Sequence, residues 1–423
     1  VLDARYLRTN PPGLREAILA KNGDPVHLER FLEADVACRR LRTEVETLRA
    51  ERTRGSEEVG RRRKAGEDAA ALQAEVKGVG ERLKVAEEAL LPIEAALEET
   101  LHWLPNLAHH SVPVGDATRN EIIKSWKEPR RFDFPVVPHE ELGARLGFLD
   151  MPRGTRMSGP GFSVLTGQLA RLERALINFF LDVHTGEHGY TEVAAPFLVR
   201  RESLFGTGQL PKLEDDMYRT TDDLFLIPTA EVSITNLFRE EILDAAELPI
   251  RRVGFSPCFR REAGSYGKET KGLTRVHQFM KVEMVRITTP ERSYEEHERL
   301  LADAEDILQR LDLPYRVLLL ASGDTSFAAA KCYDLEVYTP GADRWLEVSS
   351  CSNFEAFQAR RLKMRYRAEP GAKPEFVHTL NASGLALPRI LISILENCQT
   401  AAGRVRVPEV LVPYLGGLTE LGG

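Results

Sequence analysis

The chain has 423 residues, 43% hydrophobic and 29% charged, with a formal net charge of −7. That is enough for one large core and a second, smaller unit, and no apolar run reaches the roughly 18 residues that a bilayer crossing needs. The negative balance excludes polyanion binding by the whole surface, so a nucleic-acid partner would require a local basic patch.

The opening VLDARYLRTNPP lacks the apolar stretch of a secretion signal, and a cytoplasmic location is the expectation. Asn10-Pro11-Pro12 opens a short capped helix, and Asn22-Gly23 closes it. Apolar or small residues then recur at 3-4 spacing: Phe31, Ala34, Cys38, Leu41, Val45 and Leu48. The pattern fades through Arg52-Thr53-Arg54-Gly55 and resumes at Leu72, Val76, Val79, Leu83, Ala86, Leu90, Ile93 and Leu97. Two antiparallel helices of one coiled coil, spanning about 28–101, fit this spacing. At about 30 to 35 residues each they would project on the order of 50 Å. Pro92 lies inside the second pattern and predicts a kink or an early end. The tip carries Arg61, Arg62, Arg63 and Lys64, and Arg49, Arg52 and Arg54 extend the cationic stretch. Such a cluster is often only a solvated turn. On a long lever it also suits phosphates, where RNA shape and backbone are read more than base edges. A protein partner on the apolar seam is the alternative.

Residues 104–160 break into pieces punctuated by Pro and Gly, which reads as a linker wrapping onto a main domain. A helix is predicted over 167–189. β-Rich runs follow at 224–227, 252–259, 279–287, 315–320, 333–339 and 345–350, with helices at about 231–243, 291–311 and 388–401. This pattern predicts an α+β domain, an antiparallel sheet flanked by helices. The scattered cysteines Cys38, Cys258, Cys332, Cys351 and Cys398 have neither C-x-x-C spacing nor a neighbouring His, so no disulfide framework and no zinc are expected.

The segment richest in chemistry runs from Phe259-Arg260-Arg261-Glu262 through a glycine-punctuated basic loop to Arg275-Val276-His277-Gln278-Phe279. A hairpin of this kind can wrap a nucleotide triphosphate, although the Walker A spacing is absent. Gly206-Thr207-Gly208 lacks the third glycine of a dinucleotide fingerprint.

Over essentially its whole length the sequence resembles the class II aminoacyl-tRNA synthetases, and among them the seryl enzymes. Gly189-Tyr190-Thr191-Glu192-Val193-Ala194-Ala195-Pro196 resembles motif 1, residues 259–283 motif 2, and residues 384–396, with Arg389, motif 3. The seryl likeness rests on Thr229-Ala230-Glu231, Phe279-Met280-Lys281-Val282-Glu283, Glu347-Val348-Ser349-Ser350-Cys351-Ser352-Asn353, Gln358-Ala359-Arg360-Arg361 and His378-Thr379-Leu380-Asn381-Ala382-Ser383-Gly384. The resemblance implies three parts: a tRNA-binding domain over 1–103, the linker over 104–160, and a class II catalytic domain over 161–423. It implies activation of L-serine by ATP with Mg²⁺ and transfer to tRNA(Ser) and tRNA(Sec). The implied enzyme is a homodimer with Pro196 at its interface, and neither DNA nor a membrane takes part.

The site residues follow from the same likeness. Arg260 would clamp the α-phosphate, Arg275 would reach the γ-phosphate, and Phe279 and Arg389 would sandwich adenine, with Glu262 at its edge. Arg261, Val276, Val348 and Ser349 complete the ATP site, and Glu347 and Ser350 would hold Mg²⁺. Thr229, Ala230 and Glu231 are implied for the serine ammonium, and Glu283 and Ser383 for its hydroxyl. Arg260, Arg389 and Glu347 are the implied catalytic set. The loop 322–331 departs from the family, with Thr325 and Ser326 where Met and Gly are usual and Ala328 for Gly. Three rivals are a non-catalytic RNA-binding paralogue, a ligase that loads serine onto a carrier protein, and another class II synthetase, which the Ser-Ser-Cys-Ser-Asn and Thr-Leu-Asn-Ala-Ser-Gly segments oppose. The intact polar set opposes the first and the basic arm the second.

Overall fold

The computed structural model describes residues 1–263 and 271–423. It divides into two compact units, Val1–Pro105 and Asn106–Gly423. Among the described residues no helix is long and apolar enough to cross a membrane.

In the first unit, α1 (Pro11–Ala20) starts at Asn10, whose side chain accepts the Gly13 N–H. It leads into α2 (Val26–Lys64) and α3 (Ala70–His102), which pack along each other as an antiparallel pair. Val45, Leu48, Val79, Leu83 and Ala86 form the buried seam. Three details differ from the sequence reading. The buried position near the base is Asp35 instead of Ala34, and its carboxylate accepts from Arg8 Nη2 at 2.5 Å and Arg39 Nε at 2.9 Å. Two guanidiniums make a carboxylate tolerable in an apolar seam, a pairing that heptad counting does not register. The fading pattern near Gly55 is no break: a Cβ there would lie 2.5 Å from Val76 Cγ2, so glycine admits the close approach of α3. Nor does α3 end at Pro92. That residue is exposed, and water can satisfy the carbonyl that loses its donor.

The second unit is built on an eight-stranded sheet. Its strands in chain order are β1 (Glu121–Trp126), β2 (Thr191–Glu192), β3 (Ile250–Phe259), β4 (Gln278–Thr288), β5 (Tyr315–Leu319), β6 (Lys331–Thr339), β7 (Arg344–Glu355) and β8 (His378–Ala386). The spatial order is β1-β5-β6-β7-β8-β4-β3-β2, antiparallel throughout except that β2 runs parallel to β3. The expected α+β architecture is therefore present. The segment 104–160, read as a linker, supplies the edge strand β1 and two short helices, α4 (His139–Arg145) and α5 (Met151–Ser158).

Strand alternation gives the sheet two unlike faces. Val253, Val282, Met284, Leu335, Val337, Leu380 and Ala382 form one core with α6 (Gly167–Gly186), α9 (Ser293–Arg310) and α11 (Leu387–Asn397). The buried Arg286 ties β4 into this frame, donating to Tyr190 Oη at 2.8 Å, Glu296 Oε2 at 2.6 Å and Asp303 Oδ2 at 2.5 Å. On the opposite face two short helices, α8 (Ala230–Thr235) and α10 (Phe357–Leu362), lie against the sheet, and α7 (Arg201–Thr207) packs on both. There Val285 and Ile287 join Ala230, Ile234 and Leu362 in a second apolar cluster. Helix α8 stops about eight residues short of the predicted end. Asn236 Nδ2 bonds back to Val232 O and across to Ser203 O, and the chain then forms a short strand, Ile242–Asp244, beside Arg365–Arg367. Strand β8, near the middle of the sheet, was not foreseen, because Thr-Leu-Asn-Ala-Ser-Gly lacks the β-branched content that marks strands.

Candidate active site

Along β4 the residues Phe279, Lys281 and Glu283 share the face that carries Val285 and Ile287 further on. In β8, Ser383 lies beside Glu283 in register. In β7 a register shift does what simple alternation would not. Ser349 pairs with Leu335 but Glu347 with Glu336, so Val348 is the extra residue and Glu347 and Ser350, three apart, come to one face. Two cavities open there. The larger, about 520 Å³, is lined by Thr229, Glu231, Ser350, Ser352, Asn381 and Ser383 among others. The smaller, about 190 Å³, is lined by Val276, Phe279, Val348, Pro388 and Arg389. They share Arg260, Glu262, Arg275, Lys281, Glu347 and Ser383, and so form two compartments of one site.

The larger compartment is polar and strongly desolvated at its base. Glu231, at the start of α8, is 5% exposed; its Oε1 accepts from Gln358 Nε2 at 2.6 Å. Burial, and after it the charge of Glu283, raise the Glu231 carboxyl to about 7. Glu283 is fully buried beneath the cavity floor. Its Oε1 accepts from Asn381 Nδ2 at 2.9 Å, it pairs with Lys281, and burial pushes its carboxyl up. Lys281 Nζ also donates to Thr229 Oγ1 at 2.9 Å. Thr229 caps α8 by accepting the Glu231 N–H, and this fixes both side chains at one helix start.

The smaller compartment holds arginines and an aromatic ring. The Arg260 guanidinium lies 5.1 Å from the Phe279 ring centroid. Arg389 Nη1 donates to Glu347 O at 2.8 Å and pairs with Glu347 Oε2 at 3.2 Å. Arg275 Nη1 pairs with Glu262 Oε2 at 3.2 Å. Across β6, Asp334 sits opposite Ser350, and its carboxyl is raised well above its usual range by burial first and the Glu347 charge second.

Most of the residues named from sequence thus converge. Four line neither cavity: Ala230 and Glu283 are buried behind the site, Ser349 donates its Oγ to Ser383 O at 2.6 Å, and Arg261 is exposed with its N–H on Asp216 O. Residues 264–270 of the glycine-punctuated basic loop, expected from sequence to wrap a nucleotide, lie outside the described residues. From the atypical 322–331 loop, Ser326, Phe327 and Ala328 line the larger cavity. Lys281, Asn381 and Gln358 were given no role from sequence. Lys281 is legible as the alternate residue beside Glu283 on the predicted strand 279–287, whereas Asn381 is not, because β8 itself carries no strand signal in the sequence. Gln358 sits on α10 and carries no such periodic signal.

A mostly antiparallel sheet with the long helices on one face and, among short helices on the other, an arginine-aromatic compartment open to a polar one defines a class II aminoacyl-tRNA synthetase core. Residues 212–398 match the tRNA synthetase class II core domain (G, H, P, S and T), and residues 1–108 match the Seryl-tRNA synthetase N-terminal domain. The serine–tRNA ligase of Desulfitobacterium hafniense strain Y51 is 52% identical over 98% of this chain and 99% of its own. That of Thermomicrobium roseum is 51% identical over 100% of this chain and 95% of its own. The crystal structure of seryl-tRNA synthetase from Pyrococcus horikoshii complexed with ATP superposes with a TM-score of 0.94 at 37% identity, covering 100% of this chain and 99% of that one. The chain belongs to the seryl-tRNA synthetases, and its activity is the ATP-dependent ligation of serine to tRNA.

Proposed function

We propose that the two compartments divide the substrates, with serine in the larger and ATP in the smaller, and that the groups they share handle the reacting atoms. The observation that carries this reading is the sharing itself: Arg260, Lys281 and Glu347 border both cavities. A serine carboxylate oxygen attacks the α-phosphorus and pyrophosphate leaves, so the protein needs no nucleophile and acts by positioning and charge neutralisation. Arg260 takes the α-phosphate and Arg275 the γ-phosphate, while adenine lies between Phe279 and Arg389 with Glu262 at its edge. The pairs Arg275–Glu262 and Arg389–Glu347 hold these guanidiniums near their places until nucleotide displaces their partners. Glu231 and Thr229 receive the ammonium, whose charge offsets the desolvation that raises Glu231. Ser383 and Glu283, reached through Asn381, govern the hydroxyl. Alanine then leaves buried polar groups unpaired, and threonine meets steric exclusion.

The oxygen set of Glu347 and Ser350 fits Mg²⁺, and Asp334 opposite Ser350 strengthens the fit, since a buried carboxyl pushed up by burial and by the nearby Glu347 charge favours a hard cation. There Mg²⁺ would neutralise charge on the phosphate oxygens. In the first unit Arg49, Arg52, Arg54, Arg61, Arg62, Arg63 and Lys64 bind tRNA backbone. Because backbone contacts read shape more than sequence, tRNA(Sec) is accepted along with tRNA(Ser). The protein works as a cytoplasmic homodimer. The exposed run Pro196, Phe197 and Leu198 supports the dimer, since apolar residues in series are suited to burial against a second copy.

The test is ATP–pyrophosphate exchange across the twenty amino acids in the wild type and in Arg260→Ala. Serine alone is expected to support rapid exchange. R260A is expected to lose it by about a thousandfold or more with its fold unchanged, since the charge-assisted clamp is gone. Near-wild-type exchange in R260A removes Arg260 from the site.

A further inference from the structure

The segment before α4 is strapped to the end of α11. Val137 N donates to Gln399 Oε1 at 2.9 Å, and Gln399 Nε2 donates back to Val137 O at 3.0 Å. Two residues on, His139 is 3% exposed and Glu396 fully buried. Glu396 Oε1 accepts the His139 backbone N–H at 3.0 Å, and its Oε2 accepts Gly341 N–H at 2.8 Å. His139 Nδ1 lies 3.1 Å from Glu396 Oε1 and 3.1 Å from Glu140 Oε2. Its Nε2 lies 3.0 Å from the Leu273 backbone nitrogen.

One histidine and two glutamates make a donor set that a metal could use. The hydrogen bonds exclude it. The Leu273 N–H can only donate, so His139 Nε2 must offer its lone pair, and the neutral ring then carries its proton on Nδ1. That is the atom a metal between the two glutamates would need bare. Both Glu396 oxygens are also engaged by backbone N–H groups. The cluster is a relay: Glu396 and Glu140 hold the Nδ1 proton, which fixes the tautomer, and the tautomer gives Leu273 its acceptor.

Leu273 begins the limb that returns from the nucleotide hairpin, and Leu273, Thr274, Arg275 and Val276 all line the smaller compartment. Gly272 has φ +57°, and a Cβ there would fall 2.2 Å from His139 Nε2, so the chain passes directly against the ring. The other wall of that compartment is α11, which carries both Arg389 and Glu396.

We propose that His139 is a positioning residue for ATP: accepting the Leu273 N–H through Nε2, it locks the 273–276 limb to the helix that bears Arg389. The inference rests on the reading that this limb binds ATP through Arg275.

The test measures KM for ATP at saturating serine, and for serine at saturating ATP, in exchange assays on the full chain. His139→Ala loses the acceptor. His139→Asn offers an amide near Nδ1 only, whereas His139→Gln can place an oxygen near Nε2. H139A and H139N are expected to raise KM for ATP about tenfold, the cost of about one buried hydrogen bond, with KM for serine moving less than about twofold. H139Q is expected to stay within about threefold of wild type. An unchanged KM for ATP in folded H139A overturns the proposal, as does H139Q as impaired as H139N. The Asn–Gln contrast decides even if H139A does not fold. Arg275→Ala separates the two levels: if it leaves KM for ATP unchanged, the reading of the limb fails, and if it raises KM while the His139 variants do not, the relay alone fails. Dialysis against Zn²⁺ adds a check without turnover, since an ion retained by wild type and released by H139Q would overturn the tautomer assignment.

Discussion

The arm and the active site are both rich in charge and use it in opposite ways. Along α2 and α3, Arg42 pairs with Glu94 at 2.7 Å, Arg49 with Glu87 at 2.6 Å and Arg61 with Glu58 at 2.7 Å, with more than half of each arginine side chain exposed. Such pairs are screened and add little to stability. In the core, the Lys281–Glu283 pair and Glu231 are almost fully buried, and desolvation pushes both carboxyls up. Water carries the cost of charge on the arm, which stays free to meet a polyanion. In the core the fold itself carries that cost, which the ammonium of serine would offset in the proposed site. The contrast predicts that neutralising one buried carboxylate outweighs neutralising several exposed cations.

Glu231 is the sharpest case. Glu231→Gln is expected to raise KM for serine on the order of a hundredfold, because the ammonium loses a charged partner in a desolvated site. The pH dependence has a defined sign. With its carboxyl raised from 4.5 to about 7, Glu231 is charged above that value and neutral below it. Wild-type kcat/KM for serine should therefore fall as pH drops through about 7, and E231Q should lack that step. Stability runs the other way. Between 4.5 and about 7 the folded state holds a proton that the unfolded chain has released, so this group's contribution declines as pH rises through that window. Ligand-free E231Q should melt higher than wild type at pH 8, and added serine should narrow the difference. A flat wild-type profile would place Glu231 in water and break the contrast.

The two regions also differed in how far sequence alone could describe them. The arm was legible because a two-helix seam repeats locally: Val45, Leu48, Val79, Leu83 and Ala86 could be counted off. What counting missed was Asp35, whose burial depends on Arg8, far away in sequence. The core sheet was legible where strands alternate with β-branched residues, as in β4, and illegible in β8, whose Asn381 and Ser383 face the site while Leu380 and Ala382 face the helices. Glu347 and Ser350 could be named as partners only by resemblance, since their spacing puts them on opposite faces of a regular strand. The register shift at Val348 brings them together. His139 was out of reach altogether, because its partners Leu273 and Glu396 lie 134 and 257 residues away along the chain.

A smaller effect is expected on the arm. Replacing Arg61, Arg62, Arg63 and Lys64 by alanine should raise KM for tRNA about tenfold near 0.1 M salt and flatten its salt dependence, as fewer counterions are released. Serine-dependent exchange without tRNA should stay within about twofold of wild type, since arm and core are separate compact units. The measurement is charging of serine tRNA over a salt series beside exchange on the same preparation. Exchange that falls together with charging would show that the arm supports the core, and the contrast between the regions would dissolve.

The smallest effect concerns an acid. Glu58 accepts from Arg61 Nε and Nη2, each at 2.7 Å, and from Arg62 Nε at 3.0 Å. Its carboxyl is held down to about 2 by its bonds to Arg61 first and Arg62 next. A phosphate that approaches these guanidiniums must displace that carboxylate, so in the proposed arm contact Glu58 would compete with tRNA for the cations beside it. Glu58→Gln removes the competing charge and keeps the side-chain shape. KM for tRNA should then fall about two- to threefold at low salt, and the advantage should vanish as salt screens both the pair and the phosphate. The melting temperature should hardly move, because an exposed pair within one turn of helix contributes little to folding. An unchanged KM at low salt would mean that these two arginines do not meet phosphate, and the tRNA contact would then lie lower on the arm, around Arg49, Arg52 and Arg54.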